Sequence, residues 1–161
     1  MPDTSELITN GTFDADTDWA KGTGWTITGG KAVATAATGI LIQSITNKPL
    51  TDDKTYQVMF TVSDYVDGTY RVQLEGMDNR GSGADITANG TYTEIITIDT
   101  PTVVSASRFR ITTIVDGTAK IDDVSLIELS NPRDVGSGSG WYYRYYNAAA
   151  KTKKRKRRAR R

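Results

Sequence analysis

Asp14, Asp122 and Asp123 are the first residues whose chemistry draws notice. Asp14 closes the stretch Leu7-Ile8-Thr9-Asn10-Gly11-Thr12-Phe13-Asp14, and the acidic pair sits inside Lys120-Ile121-Asp122-Asp123-Val124-Ser125-Leu126. Both stretches read as short apolar strands. If they pair, the three carboxylates meet at one edge, and Ca²⁺ takes several hard oxygens of that kind. Read blandly, they are a turn aspartate and a solvated acidic pair, and the sequence leaves both readings open. A second group lies on alternating positions of two other segments: Arg71, Gln73 and Glu75, then Arg108, Arg110 and Thr112. These are the planar, bidentate groups that hydrogen-bond sugar hydroxyls or another protein face.

Other chemistries are excluded by what the chain lacks. Its 161 residues contain no Cys and no His. Disulfides, thiolate metal sites and thiol nucleophiles are ruled out, and the commonest general base is missing. A glycosidase needs two carboxylates across a cleft, whereas the acidic residues here gather in turns. The expectation is a non-enzyme. No apolar run is long enough to span a membrane. Residues 1–6 lack the charged-then-apolar pattern of a cleaved leader, so none is expected.

Positioning these residues falls to strands. Apolar and polar residues alternate, and Gly, Asn, Asp and Thr interrupt at short intervals, as in an all-β sandwich. Trp25-Thr26-Ile27-Thr28, Gly29-Gly30 and Lys31-Ala32-Val33-Ala34-Thr35 predict a hairpin. A strand at Ile40–Ile45 follows, then a loop at residues 48–53 around Pro49. Tyr56, Val58, Phe60 and Val62 face inward, as do Tyr70, Val72 and Leu74, and later Phe109, Ile111, Thr113 and Val115. Turns are expected at residues 65–68, 78–84, 89–90 and 116–117. The closing strand is expected to end near Leu129. A sugar groove wants flat aromatic faces, yet the outward positions carry none. Trp25 is expected in the core; Trp19 and Tyr65 are placed in loops, where they are the aromatic candidates for stacking on a sugar.

The chain's charge is divided. Residues 1–131 carry nine Lys and Arg against eighteen Asp and Glu, a charge of −9, and residues 132–161 carry eleven Lys and Arg against one Asp, a charge of +10. Such a split marks an interaction tail. The reading is a β-sandwich domain over residues 1–130, a Gly/Ser-rich linker over 131–140 and an aromatic, basic anchor over 141–161. The anchor opens with Trp141, Tyr142, Tyr143, Arg144, Tyr145 and Tyr146, suited to interface burial or to adding a strand to a partner's sheet. Asn147 would cap a short helix through the alanines that follow. Lys151, Lys153, Lys154, Arg155, Lys156, Arg157, Arg158, Arg160 and Arg161 then demand a polyanion: nucleic acid, an acidic protein surface or lipid headgroups.

Several stretches together resemble carbohydrate-binding-module jelly rolls of the family 4/9/22 type. They are the opening Leu7–Asp14, Gly24-Trp25 with Gly29-Gly30, Leu41-Ile42-Gln43, Gly90-Thr91-Tyr92 and Ile121-Asp122-Asp123-Val124-Ser125. The wording of Thr87-Ala88-Asn89-Gly90-Thr91-Tyr92-Thr93-Glu94 is similar to modules of bacteriophage structural proteins. The resemblance covers residues 5–129 and implies an antiparallel β-sandwich of jelly-roll, galactose-binding-like type. It also implies a structural Ca²⁺ on Asp14 and on Asp122 or Asp123, with a backbone oxygen of Thr12, although that family usually has Glu where this chain has Asp14. The function so implied is a non-catalytic virion component, of the capsid-decoration or fibre- and tail-associated type. It would assemble in the host cytoplasm and be anchored by its tail to other virion proteins. Two other readings stand beside it: an adhesion module contacting host glycans, and a nucleic-acid-binding protein acting through the tail.

Overall fold

The computed structural model describes residues 5–76, 78–101 and 106–129. The linker and anchor expected over 131–161 lie outside these residues. The described chain forms nine strands: β1 (Ala20–Lys21), β2 (Trp25–Thr28), β3 (Lys31–Ala37), β4 (Ile40–Ser44), β5 (Thr55–Glu75), β6 (Asn79–Ile86), β7 (Gly90–Thr97), β8 (Thr100–Pro101) and β9 (Arg108–Leu129). All pairings are antiparallel. The architecture is the expected antiparallel β-sandwich.

β5 and β9 are long enough to belong to both layers. The C-terminal half of β5 and the N-terminal half of β9 lie in one layer, in the order β1-β4-β9-β5-β6-β8. Their other halves join β2, β3 and β7, with β3 on β9 and β7 on β5. The turns expected at residues 65–68 and 116–117 are therefore not reversals. Each strand runs on through its glycine and bends, with register shifts between Ser63 and Tyr70. Gly68 takes φ +95° there, and a Cβ on it would stand 2.4 Å from the Gly117 Cα. A Cβ on Gly117 would meet the Asp67 carbonyl oxygen at 2.5 Å. Two glycines facing each other let two strands turn the same corner in contact, which no side chain would permit.

The 78–84 segment also differs from expectation. It belongs to β6, paired with β5 from Glu75↔Arg80 to Tyr70↔Ile86. Gly81 is buried, and a Cβ on it would strike the Ile96 side chain and the Thr97 carbonyl, both at 2.4 Å. Here glycine marks close approach of two backbones rather than a loop. Asp52 holds the chain reversal before β6, accepting from the Asp78 and Asn79 amides, both at 3.2 Å.

The β2–β3 hairpin is as expected: Thr28 pairs with Lys31, and Gly29 and Gly30 take φ +60° and +69°. Such values suit the right-handed twist of a two-residue hairpin. Alternation gave most of the core, but Thr113 and Val115, expected inward, are half-buried and 57% exposed respectively, because the β5–β9 register shifts where the strands bend. Tyr56, Val58, Phe60, Val62, Tyr70, Val72, Leu74, Phe109 and Ile111 are all buried. Trp25 is buried as well, edge-on to Tyr70 at 5.9 Å.

Residues 7–14 do pair with the closing strand, though not as a regular strand. Glu6 bridges Ile127, the Leu7 amide donates to the Leu126 carbonyl at 2.9 Å, and the Val124 amide donates to the Gly11 carbonyl at 2.9 Å. Gly11 presses so close to Val124 that a Cβ would lie 2.0 Å from its carbonyl oxygen.

Candidate functional site

The pairing of the opening and closing segments does not gather their carboxylates. Among the described residues no three acidic side chains come together as a metal-holding group. Asp14 and Asp122 are engaged by neighbours instead. Asp14 accepts the Thr12 hydroxyl at 2.7 Å. Asp122 accepts the Lys31 ammonium and the Asp123 amide. The hydrogen bond to Asp122 raises the Lys31 pKa above its ordinary value. Asp123, at φ +51°, is exposed.

The two aromatic candidates for sugar stacking are occupied as well. Trp19 is 6% exposed, 5.1 Å from Phe13 and edge-on to Phe109 at 5.8 Å. Its indole N–H donates to the Asn10 carbonyl at 3.0 Å, while the Asn10 side-chain amide donates to the carbonyls of Ala15 and Thr17. The loop is thus folded around Asn10, and the ring becomes core. Tyr65 is half-buried, and its hydroxyl donates to the Gly68 carbonyl at 2.7 Å. Neither ring is a free platform.

The polar positions fare differently: the structure brings all six together. Period two leaves one face of each strand to the core and the other outward. On the outward face of the β1-β4-β9-β5-β6-β8 layer three rows form. One reads Ala20, Ile42, Arg110, Gln73, Ser82. The next reads Ser44, Arg108, Glu75, Arg80, Thr100. The third reads Ile40, Thr112, Arg71, Asp85. No aromatic side chain stands in them. Arg80, Ser82 and Asp85 were missed because their segment read as a turn. The signal was present, for Arg80 and Ser82 alternate across Gly81.

Hydrogen bonds tie the rows together. Gln73 accepts the Thr112 hydroxyl at 2.8 Å and donates to the Ser82 hydroxyl at 3.2 Å. The Arg71 guanidinium pairs with Asp85. Glu75 is the centre: fully buried, it accepts from Arg80 Nη2 at 2.7 Å and from Arg110 Nη1 through the same oxygen, Oε1. Its other oxygen, Oε2, lies 3.7 Å from Arg108 Nη1 and has no hydrogen-bond partner. The Nε atoms of Arg80 and Arg110 are also buried without partners. The exposed fraction of the arginine side chains rises from 15% for Arg110 to 31% for Arg80 and 41% for Arg108. Chemically this is a flat bed of donors and acceptors around one buried carboxylate. It offers hydrogen bonds and positive charge, with no nucleophile–base pair.

No family model matches the sequence, and a search of the curated proteins finds no match. Solved structures do match. The N-terminal cellulose-binding domain of β-1,4-glucanase C from Cellulomonas fimi is similar at a TM-score of 0.52 and 16% identity, over 79% of this chain and 99% of that one. A variant of a family 29 carbohydrate-binding module complexed with cellulohexaose is similar at 0.50 and 12% identity, over 81% and 94%. An arabinose-bound α-L-arabinofuranosidase is similar at 0.52 and 12% identity over 80% of this chain, which spans only 27% of that enzyme. Residues 5–129 thus have the fold of a carbohydrate-binding-module-like β-sandwich.

Proposed function

We propose that this protein is a non-catalytic glycan-binding module that adheres to polysaccharide through the outward face of the β1-β4-β9-β5-β6-β8 layer. One observation carries the reading: three adjacent cross-strand rows, built on Arg110–Gln73–Ser82, Arg108–Glu75–Arg80 and Thr112–Arg71–Asp85, place planar and hydroxylic side chains together on one face. Sugars present paired hydroxyls at the spacing that amides, guanidinium groups and carboxylates can bridge. Solved relatives in fold are named as cellulose-binding and carbohydrate-binding modules, which favours the same use of the fold here. Without stacking platforms, affinity rests on hydrogen bonds and should be modest.

The test is a glycan array probed with the full chain, at salt high enough to screen the basic tail. Binding to one polysaccharide class is expected, and Gln73→Ala should weaken it severalfold while the melting transition stays cooperative. No binding to any glycan, or binding untouched by Gln73→Ala, overturns the proposal. The module's attachment to a virion through residues 141–161 is supported by the tail's composition: five aromatics in six residues, then nine Lys and Arg in eleven. A deletion of 141–161 that leaves attachment to purified virions intact removes that part of the reading.

A further inference from the structure

The charges of the described residues are not spread evenly. Lys21, Lys31, Lys48, Arg71 and Lys120 each face a carboxylate of their own, on Asp16, Asp122, Glu128, Asp85 and Asp64 respectively. Arg80, Arg108 and Arg110 instead share the single carboxylate of Glu75. The cluster therefore holds two positive charges in excess, inside a segment whose overall charge is −9. Attraction alone would not assemble it, because three like charges repel one another and burying a carboxylate is costly. The partners do not repay that cost in full, since Glu75 Oε2 and two guanidinium Nε atoms are left buried without hydrogen bonds.

From this we infer that the cluster is a subsite for an oxyanion carried by the glycan, a uronate carboxylate or a sulfate ester. The inference rests on the glycan-binding reading above and specifies its ligand as acidic. Arg108 and Arg80 flank Glu75 in one cross-strand row, their backbones two strand spacings or about 10 Å apart. Both side chains lean toward the carboxylate between them, and both are partly exposed. A guanidinium has five N–H donors in a fixed fork, so the bonds spent on Glu75 leave outward donors on each. Arg108 is the most available, with Nη1 3.7 Å from Oε2, beyond hydrogen-bond length. An oxyanion seated on the Arg108 fork neutralises charge that Glu75 does not. Arg110, the most buried of the three, holds Glu75 from below and is a positioning residue. The neighbouring row of Gln73 and Ser82 then takes the hydroxyls of the adjoining sugar.

Trigalacturonate and its fully methyl-esterified, uncharged counterpart provide the test, titrated into the full chain by calorimetry with amide chemical shifts followed in parallel. The acid should bind about tenfold more tightly than the ester, the scale of a charge-assisted bidentate contact. Shifts should fall on residues 71–75, 80–85 and 108–112. Arg108→Gln should erase the preference, and Arg108→Lys, which keeps charge without the fork, should restore only part of it. A sulfated trisaccharide run alongside identifies the oxyanion: whichever anion Arg108→Gln weakens more is the one the subsite takes. Equal affinity for acid and ester, with binding of the sulfated trisaccharide unchanged in Arg108→Gln, overturns the inference and leaves the glycan-binding reading standing. Shifts confined to residues 151–161, with affinity unchanged in Arg108→Gln, overturn it too, by assigning the charge preference to the tail. Failure of every sugar here and on the array removes both.

Discussion

The acidic edge formed by residues 10–14 and 120–124 and the arginine face around Glu75 are opposite solutions to placing charge on a sandwich. At the edge two of the three carboxylates are answered by neighbours, Asp14 by Thr12 and Asp122 by Lys31 and the Asp123 amide, while Asp123 is exposed. On the face one buried carboxylate is answered by three cations from β6 and β9. The edge has no buried polar atom left without a partner among the described residues. The face carries excess charge and unpartnered atoms, the state in which added groups gain most. Carboxylate density in the sequence pointed to the edge; the structure puts the unspent bonding capacity on the face.

The largest expected effect separates the two. Glu75→Gln keeps the shape but strands buried Arg110 beside Arg80 without countercharge, and should lower stability by about 3 kcal/mol in urea denaturation. Asp122→Asn breaks an ion pair whose lysine side chain is 36% exposed, and should cost well under about 1 kcal/mol. Similar losses from both would end the distinction.

Tyr70 asks whether an unpartnered buried group is special to the face. Its hydroxyl is buried without a partner near the Gly68–Gly117 crossing. Burial, aided by the charge of Asp67, pushes its pKa up to about 12. A folded pKa raised above the unfolded value near 10 means that the folded state holds the proton more tightly. Its contribution is intact below about pH 10 and is lost as pH rises toward about 12, for a total of about 2–3 kcal/mol. Burial raises the Tyr56 pKa too, so its contribution falls in the same direction. Tyr70→Phe should remove the Tyr70 share of that alkaline loss while changing neutral-pH stability by less than about 1 kcal/mol. An unchanged alkaline limb in the variant would reassign the loss to Tyr56.

Calcium gives the smallest expected effect. With Asp14 and Asp122 engaged by neighbours, melting temperatures in Ca²⁺ and in chelator should differ by less than about 1 °C. A rise of several degrees would mean that the edge rearranges to bind the ion and would restore the metal reading of Asp14, Asp122 and Asp123.

Much of this was legible in the sequence where period two ran unbroken. Tyr56 to Val62 and Tyr70 to Leu74 fix the core, and the same parity puts Arg71, Gln73 and Glu75 on one face with Arg108 and Arg110. Reading failed at glycine. Gly68, Gly117 and Gly81 look like punctuation, but each marks a place where two backbones touch, and contact between segments so far apart leaves no local trace. Trp19 was misplaced for a related reason. Its loop is closed by one asparagine, Asn10, whose side chain binds carbonyls five and seven residues away.

The paired bend of β5 and β9 also governs when this molecule can exist. Thr55 pairs with Leu129 and Glu75 with Arg108, so both layers wait on contacts spanning much of the chain. Folding dominated by such distant pairings is slow. A growing chain that has not yet released β9 has neither layer complete, and during synthesis β5 emerges as a long amphipathic strand with both edges bare. β6 and β7, which follow directly, can pair with one of those edges, but the edge that β9 takes stays open as a template for association with other chains until β9 arrives. Yield on overexpression should therefore depend on how quickly β9 follows β5 out of the ribosome.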